Sequence, residues 1–275
     1  MNIFEAVLLG AVEGVTEFLP ISSTGHLTIV EKLMGYEIDA PDITAFTAII
    51  QSGAVFATVI FLRKDLFRII AAWFKGLVSA SARKDPDWRF AWAVILGSIP
   101  IGIVGLAFQD VIETTLRSLW FVSGALILWS GVMAFADHAA TQVRHEPDTT
   151  WKDTLIIATV QCLALIPGVS RSGATMSAGL LRDLDRVTVT KLSFFLSIPA
   201  LVGAGIYELP HAIGGGIGVG QTLVATVVSF VVAYAAIAWL LKFVAGHSLA
   251  LFVWYRVALG SLLVILLATG VMTPT

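Results

Sequence analysis

The stretch Glu13–Leu27, "EGVTEFLPISSTGHL", sits inside an N-terminal run that is otherwise apolar. It carries Glu13 and Glu17, the hydroxyl run Ser22, Ser23 and Thr24, then Gly25 and His26. A helix that crosses a bilayer needs roughly 20 consecutive apolar residues. Here the apolar segment at about 3–33 is interrupted at "FLPISSTG", and each half holds only about 13–15 residues, too few to span. Proline, glycine and serine at membrane depth would strand backbone groups in lipid. Such a break is tolerated only where it is buried in protein or lines a wet cavity. The stretch therefore predicts a re-entrant helix–turn–helix hairpin; an ordinary span kinked at Pro20 is the plainer alternative.

The rest of the 275 residues set this hairpin in a membrane protein. Hydrophobic residues make up 57% of the chain, charged residues 13%, and the mean hydropathy is +0.88. Soluble domains carry about 25% charged residues, so an integral membrane protein is the first reading. A net charge of −2 without a basic tail or patch gives no sign of nucleic-acid binding. The single Cys162 excludes an internal disulfide and reads as a small buried residue. The N-terminus "MNIFEAVLLGAVEG" lacks a positive region and carries Glu5, so it reads as a poor signal peptide, expected to stay in the mature protein. Six segments are long and apolar enough to cross, at about 42–62, 90–109, 118–136, 188–208, 219–241 and 249–271. A second interrupted segment, about 153–183, breaks at "LIPGVSRSG" and predicts a second hairpin.

The two interrupted segments resemble each other. "VEGVTEFLPISSTGHL" from Val12 aligns with "VQCLALIPGVSRSGAT" from Val160, so that Glu13 faces Gln161 and Pro20 faces Pro167. The segments that follow correspond loosely at the same offset, near 147, which indicates a duplication of half the chain. The expected fold is all-α and polytopic: one integral membrane domain over 1–275, with repeats of about 1–136 and 153–272. Each repeat has one hairpin and three crossings, so the second starts on the opposite face and the repeats are inverted. The positive-inside rule agrees. Arg63, Lys64, Arg68, Lys75, Arg83, Lys84 and Arg89 mark the 63–89 loop as cytoplasmic. Propagation from there puts Arg144, Lys152, Arg182, Arg186, Lys191 and Lys242 inside, and only Lys32 and Arg117 outside; Arg171 and Arg256 fall within segments. The first hairpin then opens outward, the second inward, and their broken tips meet near the midplane. The 64–89 connector reads as amphipathic, with Trp73 and Trp88 as interface anchors, and "HAIGGGIGVG" (211–220) as a flexible linker.

Each tip carries its own chemistry. Glu13 and Glu17, four apart, share a helix face; they could hold a divalent cation through oxygen ligands, orient a histidine or share a proton. Two glutamates facing outer water are the plainer reading. Ser22, Ser23, Thr24 and Gly25 open a new half-helix, whose free N–H groups and positive dipole end attract anions, although one hydroxyl there could be a mere cap. His26, three residues after Ser23, suggests a nucleophile with general acid–base help, against a merely structural histidine. "PGVSRSGAT" puts Arg171 at another half-helix start, with Ser170, Ser172, Gly173 and Thr175 around it. An arginine at that depth needs an anionic partner: phosphate, which its planar donors fit, or Glu13 or Glu17 in a structural ion pair. Gln51 could add a polar contact from the next span. Together these residues suit a metal-assisted phosphate site.

"EGVTEFLPISSTGHL" together with "PGVSRSGAT" closely resembles the two signature regions of the bacterial undecaprenyl-pyrophosphate phosphatase family, also called the bacitracin-resistance family, and the resemblance covers essentially the whole chain. It implies an inner-membrane hydrolase, opening to the outer side, that converts C55-isoprenyl diphosphate to the monophosphate and so recycles the lipid carrier of wall synthesis. It implies a divalent cation, Mg²⁺ or Ca²⁺. It carries functional roles to Glu13, Glu17, Ser23, His26 and Arg171, with Ser22, Thr24, Ser170, Ser172 and Gln51 lining the site. Ser23 as nucleophile with His26 as acid–base, His26 as nucleophile, and attack by metal-activated water all stay open. So does an inverted-repeat transporter or flippase of the carrier, because the same residues would serve as a coupling-ion site. The oligomeric state is open as well, a homodimer included.

Overall fold

The computed structural model describes residues 1–214 and 216–274. Twelve α-helices run through them: α1 Ile3–Thr16, α2 Ser23–Leu33, α3 Pro41–Phe61, α4 Arg63–Val78, α5 Pro86–Ala107, α6 Gln109–Glu113, α7 Leu119–Ala139, α8 Trp151–Val160, α9 Arg171–Leu180, α10 Arg186–Gly214, α11 Val219–Val244 and α12 Ala250–Ala268. Six of these, α3, α5, α7, α10, α11 and α12, are long and apolar enough to cross a membrane, which makes this a multi-pass membrane protein. They match the six expected segments within a few residues, except that α10 continues past 208. The expected linker at 211–220 is correspondingly shorter. Residues as far as Gly214 belong to α10 and those from Val219 to α11, while Gly215 lies outside the described residues.

Both interrupted segments break where the sequence places the break. Asn2 caps α1, its side chain accepting from Phe4 and Glu5 N–H while Glu5 reaches back to the Asn2 N–H. The helix ends at Thr16, before "FLPIS", and α2 restarts at Ser23. Tyr36, just past α2, donates to Glu5 near the start of α1 at 2.7 Å, so the two helices form a hairpin. In the second segment Thr150 and Asp153 form the capping box of α8, a short 3₁₀ turn covers Gln161–Leu165, and α9 restarts at Arg171. Arg182, past α9, donates to Asp153 at 2.9 Å and closes this second hairpin at its own base. Ala40–Pro41 and Asp85–Pro86 start α3 and α5 with proline at the first helical position, where its missing N–H costs nothing.

Packing without water relies on small residues that let backbones approach. Helix α11 lies between α1 and α3. A Cβ at Gly10 would stand 2.3 Å from the Ala225 carbonyl oxygen, one at Gly14 2.7 Å from that of Ser229, and one at Gly53 2.2 Å from that of Thr226. Charge gathers at one end of the molecule. Asp153, fully buried, bridges Arg144 and Arg182; Asp137 accepts from Arg186 and from the Leu249 N–H; Glu146 lies 2.8 Å from Lys191 and 3.7 Å from Arg68. These bonds tie α4, the turn before α8, the start of α10 and the start of α12 into one charged layer. Burial works against the Asp153 charge, but Arg144, Thr150 and Arg182 outweigh it and hold its carboxyl well below the usual range.

Gly53→Val should drive α11 away from α3 and lower the thermal midpoint in detergent micelles, whereas Gly124→Val, at a position open to 4 Å, should leave it near wild type. The Asp153 carboxyl binds its proton more weakly folded than unfolded. Its contribution to stability is therefore complete above the ordinary carboxylate value of about 4 and is lost as pH falls below it. Thermal unfolding at stepped pH should show a falling midpoint between about pH 5 and pH 3. Asp153→Asn should start lower and slope less.

Candidate active site

The two breaks are built alike and touch. Ser22 and Ser170, the residues before α2 and α9, both adopt left-handed backbone, with φ of 77° and 75°. Each side chain turns back as a cap: Ser22 Oγ accepts from the Gly25 N–H at 3.3 Å, and Ser170 Oγ from the Gly173 N–H at 3.2 Å. Gly25 and Gly173, both expected among the substrate-binding residues, spend their N–H groups on these caps. Among the described residues the N–H groups of Ser23, Thr24, Arg171 and Ser172 have no helical partner. Cross-bonds join the breaks. Gly168 N–H donates to Ser22 Oγ at 3.1 Å, and Ser172 Oγ donates to the Leu19 carbonyl at 3.0 Å. Gly168 has φ +100°, and a Cβ there would strike the Val122 carbonyl at 2.5 Å, so only glycine fits.

Arg256 of α12 lies under both tips. It is fully buried and faces carbonyl oxygens rather than a carboxylate, with Nη1 donating to Pro20 at 3.2 Å and Nη2 to Gly168 at 2.9 Å. Its Nε donates to Ser130 Oγ at 3.0 Å.

The reactive groups converge above this support. Ser23 Oγ donates to Glu17 Oε2 at 2.5 Å, and Arg171 Nη2 donates to Glu17 Oε1. Glu17 thus joins the hydroxyl of one hairpin to the guanidinium of the other, while Arg171 Nε is buried without a partner. Glu17, Ser22, Ser23, Thr24, Gln51, Ser170 and Arg171 line one cavity of about 580 Å³. From the tips it extends between α5 and α10 past Ile101, Leu106 and Leu201 to Tyr207 and Gln109, whose side chains are bonded at 2.7 Å.

Other expected residues take different positions. Glu13 sits one turn earlier on α1, fully buried, with both carboxylate oxygens unpartnered, and does not line the cavity. Thr175 bonds back to the Arg171 carbonyl at 2.9 Å, and Ser172 faces the first hairpin. The expected pairing of Ser23 with His26 does not form. The His26 ring turns to α12, with Nδ1 2.7 Å from the Ser22 carbonyl oxygen and Nε2 2.7 Å from the Tyr255 hydroxyl. Among the described residues no three His, Cys, Asp or Glu side chains converge as a ready metal cluster. Arg256 and Tyr255 were not among the expected site residues.

Residues 6–262 match the family described as bacitracin resistance protein BacA. The chain belongs to this family. It is 66% identical to undecaprenyl-diphosphatase 3 of Frankia casuarinae over the full length of both chains. It is 54% identical to the undecaprenyl-diphosphatase of Cutibacterium acnes, over 99% of this chain and all of that one. With that of Mycolicibacterium smegmatis the identity is 47% over 99% of each. The matched residues include both paired breaks.

Ser22 can be tested apart from the chemistry. Ser22→Ala removes the acceptor of two buried N–H groups and should cost on the order of 1–3 kcal/mol. Ser22→Gly loses the same hydroxyl but accepts the positive φ, so its unfolding midpoint should lie above that of the alanine variant.

Proposed function

We propose that the chain hydrolyses undecaprenyl diphosphate to undecaprenyl phosphate and inorganic phosphate, returning the lipid carrier to cell-wall synthesis. Family membership and the names of its relatives support this activity. The observation that carries the mechanism is Ser23 Oγ donating to Glu17, which Arg171 holds from the other hairpin.

The diphosphate would bind at the tips, with its isoprenyl tail along the apolar cleft between α5 and α10. Arg171 and the free N–H groups of Ser23, Thr24 and Ser172 would take the phosphate oxygens and the charge that develops on them. Ser23 Oγ attacks the terminal phosphorus as Glu17 takes its proton. The bond to the bridging oxygen breaks, and undecaprenyl phosphate leaves with that electron pair and the proton from Glu17. Water then attacks the phosphoserine and gives its proton to Glu17. Ser23 Oγ leaves with the electron pair and recovers that proton, releasing phosphate.

A divalent cation, Mg²⁺ or Ca²⁺, fits this hairpin. Glu13 and Glu17 are hard oxygen donors four residues apart, and the Glu13 oxygens lack any partner. Those two carboxylates would hold the ion. When bound it would offset phosphate charge.

The topology we infer is two re-entrant hairpins in inverted repeats, placed in the bacterial inner membrane with the site open to the outer side. It is supported by hairpins whose bases, Glu5–Tyr36 and Asp153–Arg182, belong to different ends, and by the charged layer at the second. By the positive-inside rule that layer is cytoplasmic.

Purified protein in micelles, where no gradient exists, should release phosphate from an isoprenyl diphosphate. Ser23→Ala, Glu17→Gln and Arg171→Ala should each lose at least about 100-fold. Rapid quench with labelled substrate should leave acid-stable phosphate on Ser23. If wild type releases none while Ser23→Ala blocks lipid movement across liposomes, a transporter of the carrier replaces the phosphatase.

A further inference from the structure

A carbonyl oxygen can only accept, so the contact between His26 Nδ1 and the Ser22 carbonyl requires the proton on Nδ1. The neutral ring then presents a lone pair at Nε2, and the Tyr255 hydroxyl must donate to it. The two rings also stack, with centroids 5.5 Å apart and planes 7° apart. The Ser22 carbonyl receives a second hydrogen bond from the His26 backbone N–H at 3.1 Å. That carbonyl belongs to the Ser22–Ser23 peptide, directly after the left-handed residue at the tip. Its N–H side is the Ser23 N–H, one of the groups left free for the anion. Two donors on the carbonyl polarise the peptide and make its N–H the stronger donor.

We propose that Tyr255 is a positioning residue that, through His26, fixes and polarises the Ser22–Ser23 peptide, and that His26 serves this chain rather than carrying the proton of Ser23. The proposal deepens the phosphatase reading and rests on it for its kinetic consequence. The run is Tyr255 Oη–H to His26 Nε2, then His26 Nδ1–H to Ser22 oxygen. It ends on the peptide that carries the nucleophile. Tyr255 and Arg256 are neighbours on α12, so one helix supports the first tip twice, by backbone carbonyl and by side-chain imidazole. Glu17 already accepts from Ser23, which leaves His26 free for this task.

Asparagine places its amide nitrogen where histidine has Nδ1 and has nothing at Nε2. His26→Asn therefore keeps the Ser22 bond and loses the Tyr255 bond, and Tyr255→Phe loses the same bond while keeping the stacked ring. Each should lower kcat about fivefold, the worth of one neutral hydrogen bond. The double variant should fall no further, because both remove one link. His26→Ala, which also frees the carbonyl, should fall well below all three. If His26→Asn is as inactive as His26→Ala, a loss of about 100-fold or more, His26 is a proton carrier and the proposal is overturned. Additive losses in the double variant overturn it too.

A second readout does not depend on catalysis. With ¹⁵N-labelled histidine, His26 should show a protonated Nδ1 and an unprotonated Nε2 whose shift moves in Tyr255→Phe. A proton found on Nε2 refutes the chain. If wild type releases no phosphate, the phosphatase reading fails while this spectrum still decides the Tyr255–His26–Ser22 link.

Discussion

Everything at the centre of this molecule depends on satisfying peptide groups where water is scarce. Two chain breaks sit inside the helical bundle, and each frees carbonyls that a continuous helix would have used. The Arg256 guanidinium takes one from each break, at Pro20 and Gly168, and gives its third nitrogen to Ser130. Its fork geometry matters here, because a lysine has one nitrogen and could not reach three elements at fixed angles. A buried cation facing carbonyl dipoles also leaves its charge uncancelled beneath a site that must attract a multiply charged phosphate group. The same bonds that permit the breaks thus place a positive charge beneath both tips.

Glu17 is the second hub. Its two oxygens are shared between Ser23 and Arg171, so the hairpins are joined by an ion pair as well as by backbone bonds. Phosphate entering the cavity would compete with Glu17 for the guanidinium. A carboxylate released from its cation is a stronger acceptor for the Ser23 proton. In the proposed reaction, phosphate binding would thus also free Glu17 to take the Ser23 proton.

Much of this was legible in the sequence. The breaks showed as proline and serine inside runs too short to span, and both tips showed as hydroxyl clusters followed by glycine. The six long spans were plain from hydropathy, with ends off by a few residues because apolar length does not mark where caps fall. Arg256 left a signal of its own, a charge within a spanning segment, but its carbonyl partners lie in two distant breaks and no periodicity points to them. Tyr255 left none, since tyrosine near a membrane interface is ordinary. The pairing of Ser23 with His26 failed for a local reason. Spacing of three residues shares a face only inside a helix, and Ser23 is its first residue, whose side chain turns back to Glu17 while His26 turns outward to α12. The serines that cap α2 and α9 consume the N–H groups of the glycines in "SSTGH" and "SRSGA", a bond that spacing alone does not reveal.

The close seating of α11 against α1 and α3 bears on how the chain is made. Glycines at 10, 14 and 53 lie close against the backbone of residues 225–233, where a Cβ would not fit. The first hairpin buries the carboxylates of Glu13, Glu17 and Glu31, yet α11, which packs along α1, is made only after α3 to α10. Until that helix arrives, Glu13 and its neighbours have no sealed interior to occupy. The packing of α1 therefore stays incomplete until α11 is in place. Only at that stage does the first hairpin gain its cover from α11 and the support of α12.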